Sequence, residues 1–269
     1  MKPLHLSLKS EPAQRLDLSP LVPHRLTGKS LADIASLVIS TTRETVTVGD
    51  VFKIKGPVSD EILIEGGSAR FDGVGQGLQN GVLHIDGDVG QNAGRLMSGG
   101  ALTVNGDTGP YAGSGMSGGR FEIAGDTGDF LGGPREGEIH GMSGGLLIVR
   151  GSAGARAADR LRRGTVIVEG DAGDYPASRI QAGTLVVLGA SGINPGYLMR
   201  RGTLVLAQAS ALTPTFIDSG HLDSTFLTLF ARLMKPESRL SAKLLSSPLR
   251  RVMGDMAVLG KGEILLPME

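Results

Sequence analysis

Four arrangements in the chain have residue types and spacing that could do chemistry. Gly113-Ser-Gly115-Met-Ser-Gly118 has the G-x-G-x-x-G spacing of a dinucleotide-binding turn. In such a site, however, the glycines follow a strand and open a helix, whereas here they lead into GRFEIAG, a strand-like run. Asp88, Asp107, Asp126 and Asp171 recur in G-D-x-G corners, and stacked carboxylates suit cation binding or paired acid/base work. Short Asp side chains also bond nearby backbone N–H groups in tight turns, and that structural role is the expectation here. The five histidines, His5, His24, His84, His140 and His221, show neither metal-ligand spacing nor an H-E-x-x-H pair. The fourth arrangement is basic. Arg162, Arg163, Arg200 and Arg201 stand at equivalent places before Gly164 and Gly202, with Arg156, Arg160 and Arg179 on nearby corners. Guanidinium groups pair well with carboxylates, so this ridge suits an acidic partner surface or a polyanionic carrier, with ordinary surface contacts or contacts between subunits the preferred reading.

Composition narrows the chemistry further. The 269 residues contain no cysteine, which excludes disulfides, thiolate-bound zinc, iron–sulfur clusters and cysteine nucleophiles carried by this chain. Twenty-seven basic residues balance 27 acidic ones, so net charge gives no footprint for nucleic acid or an anionic membrane. The opening MKPLHLSLKSEPAQ has no continuous apolar stretch of the signal-peptide kind, and no apolar run approaches the ~20 residues of a membrane helix. The expected location is the cytoplasm.

The elements that position these residues come from a repeat. Gly81, Gly100, Gly119, Gly145, Gly164, Gly183 and Gly202 each open a β-run at intervals of 19 residues, except for one interval of 26. A second glycine follows six residues later and a third nine residues later in nearly every copy, making corners such as GDTG and GDAG. Between anchor and corner the second and fourth positions are apolar: Leu83/Ile85, Leu102/Val104, Phe121/Ile123, Leu147/Val149, Val166/Val168, Leu185/Val187 and Leu204/Leu206. That period of two faces one core. Three residues before each anchor stands a further apolar column, Leu78, Met97, Met116, Met142, Leu161, Ile180 and Met199, expected on the opposite wall. Fixed repeats of this length mark stacked arrays. The fold class is therefore all-β, a right-handed parallel β-helix (solenoid) of mostly 19-residue coils with short helices in the flanks. The boundaries are 1–48 for a lead-in with a short helix near 30–39, 49–208 for the β-helix, and 209–269 for a helical and extended tail. In the tail, 224–234 reads as an apolar helix and EILLPME as an added strand; the seven extra residues of the long interval form a loop near 133–139.

Outward-facing positions tell a separate story. The third residue after each anchor runs His84, Thr103, Glu122 and then Ile148, Ile167, Val186, Val205. A solvated sheet face does not carry such an apolar stripe, so it is covered by the 224–234 helix, by another subunit or by both together. Ile148, Ile167, Val186 and Val205 are accordingly the candidate subunit interface.

TVTVGDVFKIKG (45–56), the repeated MSGG (97–100, 116–119, 142–145), GDTGDFLGG (125–133), GDAGDY (170–175) and MRRGTLVL (199–206) carry a family resemblance. The chain resembles the C-type subunits of formylmethanofuran dehydrogenases, and is especially similar to the bacterial C-type subunits of the formyltransferase/hydrolase complex of methylotrophs. The same β-helix resembles the C-terminal domain of glutamate synthase large subunits, while the flanks QRLDLSP (14–20) and PTFIDSGHLDSTFL (214–227) favour the former. The resemblance implies a non-catalytic structural subunit with no cofactor of its own. Its partners would be A-, B- and D-type subunits that hold zinc and move formyl groups between tetrahydromethanopterin and methanofuran or methylofuran. The polyglutamate arm of methylofuran makes the arginine ridge a candidate carrier track, though the family offers no residue to transfer for that role. From a different class, a free-standing β-helix enzyme acting on polysaccharides would need a carboxylate or arginine cluster in an open groove and aromatic sugar platforms; aromatics are only 4% and tryptophan is absent.

Overall fold

In the computed structural model, which describes residues 2–222 and 224–268, the repeat becomes a sheet. The elements in chain order are β1 (Leu4–Leu8), β2 (Leu16–Asp17), α1 (Pro23–Leu26), α2 (Leu31–Ala35), α3 (Val48–Val51), β3 (Phe52–Lys55), β4 (Glu61–Glu65) and β5 (Phe71–Asp72). The repeats follow as β6 (Val82–Asp86), β7 (Ser98–Val104), β8 (Gly118–Ile123), β9 (Ser143–Val149), β10 (Arg163–Val168), β11 (Thr184–Ala190) and β12 (Arg201–Gln208). The tail contributes β13 (Ile217–Leu222), α4 (Thr225–Met234), α5 (Arg239–Leu245), β14 (Leu249–Gly254) and β15 (Lys261–Pro267).

Thirteen strands form one mostly parallel sheet, and neighbours pair at the same repeat position. Leu83 faces Leu102, then Phe121, Leu147, Val166, Leu185 and Leu204 in unbroken succession. Every one of these side chains is buried, as are all seven members of the Leu78 to Met199 column opposite. A parallel strand with both faces covered reads as a near-continuous apolar run, whereas one covered on a single face alternates. Both patterns occur here, since β6 alternates buried and partly open residues while β10 buries Val166, Ile167 and Val168 together. A second ladder of single parallel bridges, Ser68, Val89, Thr108, Thr127, Ala153, Ala172 and Ser191, ties the repeats along another edge.

The anchor glycines have φ between +69° and +97°, the left-handed region that a side chain strains, at the point where each strand begins. The glycines six residues on are needed for another reason. A Cβ on Gly125 would lie 2.1 Å from Asp107 Oδ1, and one on Gly189 would lie 2.2 Å from Asp171 Oδ1. The corner glycine of one repeat makes room for the corner aspartate of the repeat before it.

Both flanks join the sheet. β1 lies parallel beside β4, so that Leu4 and Leu6 extend the inner columns, and β3 closes that edge in the antiparallel sense. Ser30 and Asp33 form the expected capping box, but the helix it starts ends at Ala35 because Val38 and Ile39 return to pair with Thr47 and Val46. At the far end β15 takes the place of a further repeat, pairing in parallel with β12, and Val252, Ile264 and Leu266 enter the inner core. The expected tail strand is thus present. The expected tail helix spans Thr225–Met234 and lies on the outer face of the sheet rather than over the end of the stack.

Candidate functional site

The apolar outer stripe is sealed by the chain itself. Ile148, Ile167, Val186 and Val205 are fully buried, in one cluster with Leu227, Phe230, Ala231 and Met234 of α4 and with Leu245 and Leu249. The expectation that these four residues meet another subunit is therefore corrected. The stripe specifies that something must cover it, and the i, i+3, i+4, i+7 face of the chain's own α4 does so. Just beyond the stripe the outer face becomes ionic. Arg150 bridges Glu122 and Glu169 at 2.7 Å each, and Arg120 pairs with Glu122 at 2.6 Å and with Glu237 of the α4–α5 turn at 2.9 Å. Ser238 donates to Glu169 at 2.6 Å and, as the N-cap of α5, accepts from the Ser241 N–H. Burial alone would push the Glu122 carboxyl upward, but the hydrogen bonds and charges of Arg120 and Arg150 outweigh it and hold that carboxyl below the usual carboxylate range.

The aspartate corners are hydrogen-bond ladders between repeats. Asp88 accepts from the Asp107 N–H at 2.9 Å, Asp107 from Asp126 at 2.7 Å, Asp126 from Ser152 at 2.7 Å and Asp171 from Ala190 at 2.7 Å. The carboxylates have the structural role expected of them, but across repeats instead of within their own turn. Asp72, Asp129 and Asp174 form a second such ladder to Gln91, Ala155 and Ile193. Among the described residues no group of three or more His, Asp or Glu side chains is arranged to hold a metal ion.

On the remaining wall the backbone alternates into the left-handed region. It starts as Gly73-Val-Gly75-Gln-Gly77, with φ of +65°, +69° and +70°, and the same alternation recurs at Arg156, Ala158 and Arg160 with φ of +60°, +58° and +49°. Gly113 and Gly115 belong to this run, which accounts for their spacing without a nucleotide. Along this run Ala157, Ala158 and Asp159 are buried while Arg156 and Arg160 reach the surface. One outward column reads Tyr111, Phe130, Arg156, Tyr175. The first two rings stack at 5.1 Å, and the Arg156 guanidinium lies 6.0 Å from the Phe130 ring and 5.1 Å from the Tyr175 ring. Sequence reading misses this column, although its members stand eleven residues after successive anchors.

Arg162, Arg163, Arg200 and Arg201 are all exposed. Arg200 joins Arg160, Arg179, Gln181, Leu198, Ile139 and Val258 around a groove of about 420 Å³. Arg162, Arg163 and Arg201 are outside its lining, and Arg163 and Arg201 instead open β10 and β12. Within the groove Arg179 is held by Asp159, which is only 1% exposed, through contacts of 2.7 to 3.0 Å, while Arg160 donates to the Glu138 carbonyl in the inserted loop at 3.0 Å. Arg160 and Arg179 both contact Asp159, while Arg200 has no acidic partner within salt-bridge distance among the described residues, which suits a carboxylate-bearing ligand or surface.

A family model described as the GXGXG motif matches residues 68–229, more than half of the chain and the whole run of left-handed corners. The chain belongs to the GXGXG motif family. The C-type subunit of the formyltransferase/hydrolase complex Fhc of Methylorubrum extorquens is 47% identical to it over 86 residues; the aligned stretch spans 32% of either chain, about a third of the curated relative's length. A crystal structure of the formyltransferase/hydrolase complex (FhcABCD) from Methylorubrum extorquens in complex with methylofuran contains a chain that matches much more completely. That match has a TM-score of 0.95 and 45% identity, and it covers 98% of the present chain and 100% of the other. The chain is thus similar along its length to a protein found in a complex of several subunits. No helix among the described residues is long and apolar enough to cross a membrane.

Proposed function

We propose that the chain is the C-type subunit of a cytoplasmic formyltransferase/hydrolase complex, a non-catalytic part that holds A-, B- and D-type subunits in register. The observation that carries this reading is the match at 45% identity across the full length of a chain in the FhcABCD crystal structure. On this reading the stacked repeats are a right-handed parallel β-helix over 49–208, with 1–48 as its lead-in and 209–269 as its tail. Such a stack makes a rigid rod whose core is saturated, which is what a scaffold requires. The corner aspartates, which bond backbone N–H groups of the next repeat, have a structural role in this reading. Zinc and the formyl-group chemistry would then belong to the partner subunits, working on methylofuran and tetrahydromethanopterin.

Affinity purification of the tagged chain from its source cell tests the assignment. The expected result is recovery with A-, B- and D-type subunits, and a stable lone monomer would contradict it. The arginines have a separate role in this proposal, as contacts for the acidic carrier or for a partner. Replacing Arg162 and Arg200 with Ala is expected to leave assembly intact and to slow carrier processing; unchanged kinetics in an assembled complex would remove the carrier role.

A further inference from the structure

The covering helices have an outer side that shares only Ala231 with the seal. α4 and α5 enclose a groove of about 410 Å³, lined by Thr228, Ala231, Arg232 and Lys235 from one helix and Arg239, Ala242, Lys243 and Ser246 from the other. On each helix these residues fall at i, i+3, i+4 and i+7, one stripe that ends nearest the connecting turn on α4 and begins there on α5. Both stripes place an alanine at the floor, Ala231 and Ala242, with cations along the rims. Small floor residues let another chain approach the helix backbones closely. None of the four cations has an acidic partner within salt-bridge distance among the described residues. The segment 224–247 contains a single acidic residue, Glu237, and that carboxylate is turned inward to Arg120.

Helix stability accounts for only part of this charge. Cations in the last turn of a helix complement its dipole, which covers Arg232, Lys235 and Lys243, but Arg239 stands at the first position of α5, where a cation opposes the dipole. Beyond Arg232 the exposed surface of α4 is not that of a solvated helix either, since Phe226, Leu229 and Leu233 are each more than half exposed.

We infer that the α4–α5 groove is a docking site for an acidic helical segment of a partner subunit, whose Asp and Glu side chains would lie between the two rows of cations. A strongly positive groove on a chain of zero net charge selects its occupant by charge complementarity, and a helix laid along two helices is an established mode of groove recognition. The inference rests on the chain having partner subunits, and it assigns one of their contacts to the tail.

The test uses the assembled complex. The quadruple variant R232Q/K235Q/R239Q/K243Q changes only exposed side chains and places no anion at a helix C-terminus, so the isolated variant should melt close to the wild type. It is expected to retain its partner about ten-fold less well at physiological ionic strength. Zero-length carbodiimide coupling of the wild-type complex is expected to join Lys235 or Lys243 to an Asp or Glu of another chain. A variant that assembles as well as the wild type, with no such cross-link, would overturn the inference while leaving the proposed function standing. A wild-type chain that retains no partner would overturn both. Loss of binding to phosphatidylserine vesicles with assembly unchanged would also overturn it, in favour of a lipid surface.

Discussion

The two halves of the outer sheet face have the same backbone and opposite fates. Along β6, β7 and β8 the outward positions are His84, Thr103 and Glu122, and this half stays partly open. Along β9 to β12 they are Ile148, Ile167, Val186 and Val205, and this half is closed by α4. The inner columns run unchanged through both, so the repeat does not decide where the tail settles. The outward column does. It acts as an address for the C-terminal segment, and the ionic cluster of Arg120, Glu122, Arg150 and Glu169 marks its boundary.

The largest effect should come from a charge placed under the helix. Ile167→Asp would bury an unpaired carboxylate beneath α4, at an expected cost of about 4 kcal/mol in urea unfolding. The matching change on the open half, Thr103→Asn, should move stability by about 0.5 kcal/mol or less. Equal losses at the two positions would mean that the open half is also covered. Next in size is a change common to both halves. Gly125→Ala would press a methyl group onto Asp107 Oδ1 and the Gly106 carbonyl, costing roughly 1 to 3 kcal/mol. Asp107→Ala alone loses the bond from the Asp126 N–H, about 1 kcal/mol, and together the two changes should cost less than their sum because they share one contact.

Smaller still is the boundary cluster. Glu237→Ala removes a partly exposed ion pair between the α4–α5 turn and Arg120, with an expected loss of about 0.5 kcal/mol. Its neighbour Glu122 gives a pH signature. A carboxyl held below its ordinary value of 4.5 contributes stability that is fully present above that value, and the contribution is lost as pH falls through the lower folded value. Acidification from pH 7 to below 4.5 should therefore lower the urea midpoint of the wild type more than that of Glu122→Gln. The reverse order would remove the cluster from the account.

The inner fold is readable because its signal is periodic: Leu83 and its six successors each fall two residues after a glycine, and nothing else in the chain competes for those places. The outer stripe is readable only as a demand for cover. Leu227, Phe230 and Met234 identify an apolar helix, but no local feature says which surface it meets. The lead-in strand LHLSL gives no hint of its position beside β4, since that pairing joins residues nearly sixty apart. The arginine groove is half legible. Arg200 stands out by its repeat position and Arg160 and Arg179 are readable as lying on nearby corners, whereas the left-handed backbone at these non-glycine residues that brings them to it is not revealed by sequence patterns. The direction of the aspartate bonds is hidden for a similar reason, because the partner N–H lies one repeat away.

Hydrogen exchange on the chain alone and in its complex tests the central claim most directly. If the tail seals the stripe and partners bind elsewhere, β9 to β12 should be equally protected in both samples, with new protection on assembly confined to the exposed surfaces, chiefly the arginine groove, the 133–139 loop and the α4–α5 face. Strands β9 to β12 that become protected only on assembly would contradict it, because their cover would then come from another subunit.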